Sequence, residues 1–211
     1  TARLLAAHEH NEEAAAQQIL ARLGDGESVA LVTDAGTPAI SDPGARLVAR
    51  VRGAGFRVVP LPGPCAAVTA LSAAGLDEAH FLFYGFLPAK ARQRETALRG
   101  LAGLPFALVF YEAPHRILAS VEALAQVLGG ARTLVIAREL TKVFETIHVC
   151  PLAEGLAWLQ ADADRQRGEF VLIVSGASVK DDAEEDKEGT EGARVLRLLL
   201  ADGLPVRQAV K

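Results

Sequence analysis

An α/β fold of two lobes, with mixed sheets flanked by helices, is what this sequence predicts, and three observations carry the prediction. Short apolar runs bounded by turn residues alternate with longer segments of helical period along most of the chain. The strand-like runs end in loops crowded with Gly, Pro and Asp that lead straight into helices. Half of the 211 residues are hydrophobic, enough for one large core or two small ones.

From the N-terminus, a helix is expected over about Asn11–Leu23, closed by Gly24, then a strand near Ser28–Val32. The loop after it, Thr33-Asp-Ala-Gly-Thr-Pro-Ala-Ile-Ser-Asp-Pro-Gly44, is the most informative stretch. Gly36 has no Cβ and lets backbone approach a ligand, while Asp42-Pro43 reads as an N-cap and first helical residue for a helix to Arg52. The alternative is an ordinary structured crossover, since no phosphate-binding GxGxxG or GxxxxGK[ST] pattern is present. A strand at Phe56–Pro60 and the Pro60-Leu-Pro-Gly-Pro64 turn lead to a small-residue helix, Cys65–Ala74, closed by Gly75.

A second series follows. Strands are expected near Phe81–Tyr84, Phe106–Tyr111, Thr133–Ala137, Glu145–Val149 and Glu169–Val174, with helices near Arg92–Arg99, Pro114–Leu128 and Leu152–Ala161. One short helix separates the last two strands, which favours a mixed sheet over a purely parallel one. The lobes divide near residues 76–86, giving a first lobe over 1–80 and a second over 81–177. Residues 178–192 hold seven acidic and two basic side chains and read as a linker, and 193–211 begin a helical segment. The net charge of −4 therefore belongs to that linker, and local basic patches elsewhere stay open.

No apolar run approaches the roughly 18 residues of a membrane helix, and the sequence contains no basic-then-apolar leader, so a cytoplasmic protein with no membrane partner is expected. Cys65 and Cys150 form neither a disulfide nor a metal pattern, and His8 with His10 has no third ligand nearby, so no metal is expected. Absence of methionine and the helix-like start suggest a fragment of a longer protein.

Five loops could carry chemistry. The first is the Asp34–Gly44 turn. The second is the turn before Cys65, where N–H groups of Cys65, Ala66 and Ala67 at a helix N-terminus can donate to a carboxylate or ribose oxygen. A nucleophilic role for Cys65 lacks a base partner in the neighbouring sequence. The third is Phe110-Tyr-Glu-Ala-Pro-His-Arg116, suited to stacking and anchoring a purine, unless Glu112 and Arg116 merely form an i,i+4 pair. The fourth is Ala137-Arg-Glu-Leu-Thr-Lys142 with Glu145, whose charges could equally be solvated hairpin residues, and the fifth is Arg167-Gly-Glu169 before the final strand. Four such loops at strand ends favour a shared cleft. The segment Pro88–Arg99 is locally basic through Lys90, Arg92, Arg94 and Arg99 against Glu95, as phosphate contacts require, although an exposed basic helix can also be simply solvated.

The motifs TDAGTPAISDPG, PLPGPCAAVTALSAAG, GFLPAK, FYEAPHR and ARELTK..ET, in this order and spacing, closely resemble the ribosomal RNA small subunit methyltransferase I group of the tetrapyrrole (corrin/porphyrin) methylase superfamily, over nearly all of residues 1–176. The resemblance implies two α/β lobes with S-adenosylmethionine in the cleft between them, a homodimer, and 2′-O-methylation of a cytidine ribose in small-subunit (16S) ribosomal RNA, as free RNA or within the small ribosomal subunit. It also implies a first strand and a TPIGN-like loop before Thr1, and a further helical segment after Lys211.

By position, the resemblance puts Asp34, Ala35, Gly36 and Ile40 on the methionine side and Cys65 and Ala66 beside the ribose or carboxylate. It puts Phe110, Tyr111, Leu140 and the strand start Glu169, Phe170 and Val171 around the adenosine. Lys90, Arg92, Arg94 and Arg99 become the RNA contacts. Methyl transfer to a hydroxyl is an in-line displacement that needs alignment and is helped by a base, for which Glu112, His115, Lys142 and Glu145 are the titratable candidates. A tetrapyrrole or other small-molecule methylase, and a non-catalytic cofactor- or RNA-binding module, are the alternative readings.

Overall fold

The computed structural model describes residues 3–8 and 11–177; the acidic linker, the C-terminal helical segment and His10 lie outside the described residues. Helices α1 (Glu12–Gly24), α2 (Ala45–Gly53) and α3 (Ala66–Ala74) come first. They are followed by β1 (Phe81–Phe86), α4 (Ala91–Arg99), β2 (Ala107–Glu112), α5 (Ile117–Leu128), β3 (Thr133–Arg138), β4 (Thr146–Pro151), α6 (Leu152–Gln160) and β5 (Phe170–Val174).

The strands form one mixed sheet in the order β1-β2-β5-β3-β4. β1 and β2 are parallel, while β5 runs antiparallel to both β2 and β3, and β4 antiparallel to β3. The C-terminal ends of β1, β2 and β3 therefore share one edge of the sheet with the N-terminal ends of β4 and β5. Loops 87–90, 113–116, 139–145 and 167–169 all gather there.

Period-2 alternation divides the sheet residues between two faces. Leu108, Phe110, Leu134, Ile136, Phe170 and Leu172 enter one core with Leu98 of α4, Ile117, Val121, Leu124 and Leu128 of α5, and Leu152 and Leu159 of α6. The α5 residues recur at helical spacing, so one stripe of that helix is buried against the sheet. On the other face Ala107, Val109, Val135, Ala137, Val171 and Ile173 meet Ala67, Ala70 and Ala74 of α3. Alanines at i, i+3 and i+7 let α3 lie close to the strands. A third, smaller core joins α1 and α2 through Ala15, Ala16, Ile19, Leu47 and Val51.

Two expectations fail in the N-terminal part. The segments Ser28–Val32 and Phe56–Pro60 are irregular, not strands. A strand exists only through ladder bonds to a neighbour, and these apolar runs have none among the described residues; Val32 is 80 % exposed and Val59 56 %. Asp42 is not the N-cap of α2 either. Gly44 holds that place at φ 128°, and its N–H donates to Glu12 Oε1 at 2.6 Å, so a carboxylate from α1 caps α2 across the α1–α2 contact. Among the described residues no helix is long and apolar enough to cross a membrane.

Candidate functional site

The edge where the strand-end loops converge is also where the N-terminus of α3 meets the sheet. Tyr111, near the end of β2, faces α3, and its hydroxyl accepts from Ala67 N–H at 3.1 Å and lies 3.9 Å from Cys65 Sγ. One of the first-turn N–H groups, which have no partner within the helix, is satisfied in this way. Burial pushes the Tyr111 hydroxyl above the ordinary phenol range, with the Ala67 N–H opposing, so the ring stays neutral. Phe83 and Phe86 of β1 pack edge-on against it, with ring centroids 4.9 and 5.7 Å away. Leu140 and Cys65 complete the same half-buried cluster.

The glycine-bearing loop reaches this cluster from the other side. Thr37 Oγ1 donates to Pro64 O at 3.0 Å, and a Cβ on Gly36, where φ is 106°, would fall 2.7 Å from the same carbonyl. Only glycine permits that approach, so residues 34–37 and the turn before Cys65 form one continuous wall. Further along the loop, Ala39 and Ser41 adopt φ values of 67° and 53°, and Ser41 Oγ lies against Gly85 at the bulge that ends β1. Asp34, Ala35 and Ile40 are exposed on this loop.

Strand alternation separates the expected residues. Tyr111 and Val171 belong to the α3 face, together with Leu140. Phe110 and Phe170 do not: both are buried in the core beneath α4, α5 and α6, so a period-2 strand turns them away from α3. Glu169 is exposed at the strand start.

Glu112 is 3 % exposed and fully engaged. It accepts from Ala113 N–H at 2.8 Å and from the Ser120 hydroxyl, and pairs with Arg116 at 3.2 Å, whose guanidinium also donates to Leu87 O. The i,i+4 pair weighed from the sequence is present, and it fixes the β2–α5 joint. His115 stands exposed in the 3-10 turn between them. Lys142 donates to Glu139 at 2.8 Å and to Glu169 at 2.9 Å, and these two carboxylates, Glu139 first, hold its ammonium above the ordinary lysine range. A protonated lysine cannot accept a proton, which removes Lys142 as a base. Glu145 is exposed and accepts from Thr141 N–H at 2.6 Å.

The basic segment is split as well. Lys90 and Arg92 are exposed at the start of α4, beside the convergent edge. Arg94 is 7 % exposed and donates inward to Pro88 O and Ala89 O, so its guanidinium closes the β1–α4 loop and is withdrawn from any phosphate. Arg99 pairs with Glu95 one turn away. Among the described residues no group of three or more His, Cys, Asp or Glu could hold a metal ion.

Sequence reasoning placed Thr37, Pro64, Phe86, Arg138 and Glu139 within its motifs but gave none of them a role, and it passed over Phe83. Phe83 and Phe86 carried a signal in the FLFYGF run, where a bulge at Gly85 puts both rings on the Tyr111 side. The Thr37–Pro64 bond spans 27 residues and had none.

Comparison with known proteins gives a consistent picture. The family model described as Tetrapyrrole (Corrin/Porphyrin) Methylases matches residues 2–155. A protein named ribosomal RNA small subunit methyltransferase I from Escherichia coli O157:H7 is 52 % identical over 208 residues, 99 % of this chain and 71 % of that protein. Its namesake from Pseudomonas aeruginosa is 50 % identical over 206 residues, 98 % of this chain and 72 % of that protein. Among solved structures, the methyltransferase CobJ aligns with a TM-score of 0.58 at 24 % identity, covering 77 % of this chain and 70 % of that one. Uroporphyrin-III C-methyltransferase from Thermus thermophilus, complexed with S-adenosyl homocysteine, aligns at 0.52 and 16 % identity over 78 % of this chain and 73 % of that one. These two show likeness of fold.

Proposed function

As a member of the tetrapyrrole (corrin/porphyrin) methylase family, and within it of the ribosomal RNA small subunit methyltransferase I group, this chain is an S-adenosylmethionine-dependent methyltransferase, and we propose that it methylates a cytidine ribose 2′-oxygen in small-subunit ribosomal RNA. The observation that carries the reading is the assembly, at one sheet edge, of the Gly36 loop, the α3 N-terminus and the Tyr111–Leu140 cluster.

The residues suit the cofactor. Gly36 lets its loop lie directly against Pro64 O beside the α3 N-terminus, where Ala67 N–H is already taken by Tyr111 and Cys65 and Ala66 are left to offer N–H donors to an anionic or hydroxyl group, and the half-buried Tyr111 and Leu140 give an apolar surface for a purine. Asp34–Gly36 and Ile40 would hold the methionine side, and Cys65 and Ala66 the ribose or carboxylate. The bound cofactor supplies an electrophilic methyl group on a sulfonium. What the chain itself contributes is alignment: Tyr111 fixes the α3 N-terminus, the Thr37–Pro64 bond fixes the opposite wall, and the aromatic cluster keeps water from the apolar side.

Lys90 and Arg92 would hold RNA phosphates beside the site, and His115 or Glu145, both exposed at the same edge, would take the ribose proton. The test is methyl transfer to small subunits and to free 16S RNA, followed by nucleoside mass analysis. A 2′-O-methylcytidine product is expected; methylation on a base, or transfer only to a porphyrinoid, overturns the assignment. With His115→Ala and Glu145→Ala assayed singly, unchanged turnover in both would eliminate side-chain base assistance and leave alignment alone.

A further inference from the structure

The β3–β4 loop holds two residues other than glycine in the left-handed region, Glu139 at φ 50° and Thr141 at φ 65°. Such conformations persist only where surrounding structure over-determines them, and here the determinants are visible. Continuing the antiparallel register past the Arg138–Phe170 pair brings Glu139 opposite Glu169. Glu139 N–H duly donates to Glu169 O at 3.0 Å. The reciprocal bond does not use the Glu139 carbonyl, which instead accepts from Lys142 N–H at 3.0 Å because the left-handed residue has turned the chain. Glu169 N–H goes to the Glu139 side chain, Oε1, at 2.9 Å. A carboxylate thus replaces a backbone carbonyl in the last rung of the sheet. Gly168 makes room for it, since a Cβ there would fall 2.5 Å from Glu139 Cγ.

The consequence falls on the next residue. The turn at Glu139 delivers Leu140 to the cluster of Tyr111, Cys65 and Val171. Arg138 anchors the base of the loop from the other face, donating to Asp164 O, Arg167 O, Phe144 O and Thr146 Oγ1 at 3.1 to 3.4 Å. Lys142 bridges Glu139 to Glu169 above it.

We infer that Glu139 is a positioning residue of the cofactor site: its carboxylate closes the β3–β5 ladder in place of a main-chain carbonyl and so holds Leu140 against the adenosine wall. The inference rests on the site proposed above. Glu139→Gln keeps an acceptor for Glu169 N–H, Glu139→Ala removes it, and Glu139→Gly removes it while relieving the left-handed backbone.

The experiment is calorimetric titration of the full chain and the three variants with S-adenosyl homocysteine, with hydrogen exchange of the Glu169 amide followed in parallel. Loss of a bond to a charged acceptor predicts roughly tenfold weaker binding for both Ala and Gly, with Gln within about threefold of the parent. Glu169 amide protection should fall in Ala and Gly and persist in Gln. Parent-like affinity of the Ala variant, or a Gln variant as weak as Ala, overturns the inference. Absence of binding by the unsubstituted chain would instead overturn the site itself.

Discussion

At the residue scale, Tyr111 does two things with one side chain, since its ring fills the aromatic cluster and its oxygen ties down α3. Tyr111→Phe keeps the first and loses the second, leaving Ala67 N–H without its acceptor. A loss of about 1–2 kcal/mol in denaturant unfolding is expected, together with weaker S-adenosyl homocysteine binding by calorimetry. The Glu139–Lys142 pair makes a pH prediction. Lys142 and the Glu169 N–H lower the Glu139 pKa below its ordinary value, so its contribution is present above about pH 4.5 and is lost as pH falls through the lowered value. Lys142 is raised, so its contribution is complete below about pH 10.5 and is lost as pH rises beyond that. The Glu169 amide resonance should therefore stay constant between those limits and move outside them. Burial pushes the Cys150 thiol above the ordinary range and so disfavours its thiolate.

At the scale of elements, α5 shows how one helix serves both core and site. Ile117, Val121, Leu124 and Leu128 bury its stripe, and Ser120 on the same stripe donates to Glu112, securing the end of β2 from below. Leu124→Ala should cost about 2–5 kcal/mol, measured by urea unfolding, with the Tyr111–Ala67 contact on the opposite face left intact in the folded fraction. Helix α3 behaves differently. Its buried residues are alanines, so it gains little from apolar area and depends on close approach and on its capped ends, Tyr111 at one and left-handed Gly75 at the other. That dependence couples the position of α3 to the site more directly than a leucine-rich helix would.

For the whole molecule, the net charge misleads about partners because exposed and buried cations count alike. Lys90 and Arg92 stand in solvent while Arg94 is spent inside the β1–α4 loop. Replacing Lys90 and Arg92 with Gln should lower the slope of log K against log salt for RNA binding by roughly 1–2, whereas Arg94→Gln should lower stability instead; filter binding over a salt series and thermal unfolding distinguish them. Every element from α3 to β5 was legible in the sequence, since periods of 3.6 and 2 persist wherever a face is buried. The extended runs at 28–32 and 56–60 were misread for the reason that makes strands contextual: apolar composition permits a ladder but does not supply the neighbour. The sequence by itself determined the mixed sheet, the loops that could bear a site and the family, because these depend on local pattern and on motifs kept in order. Only the tertiary structure decided which face of the sheet meets α3 and carries the proposed site. Phe110 and Tyr111 are adjacent and equally aromatic, and nothing local says which one meets a ligand. The choice is made by the packing of α4, α5 and α6 over one face, which leaves Tyr111, under the N-terminus of α3, on the other.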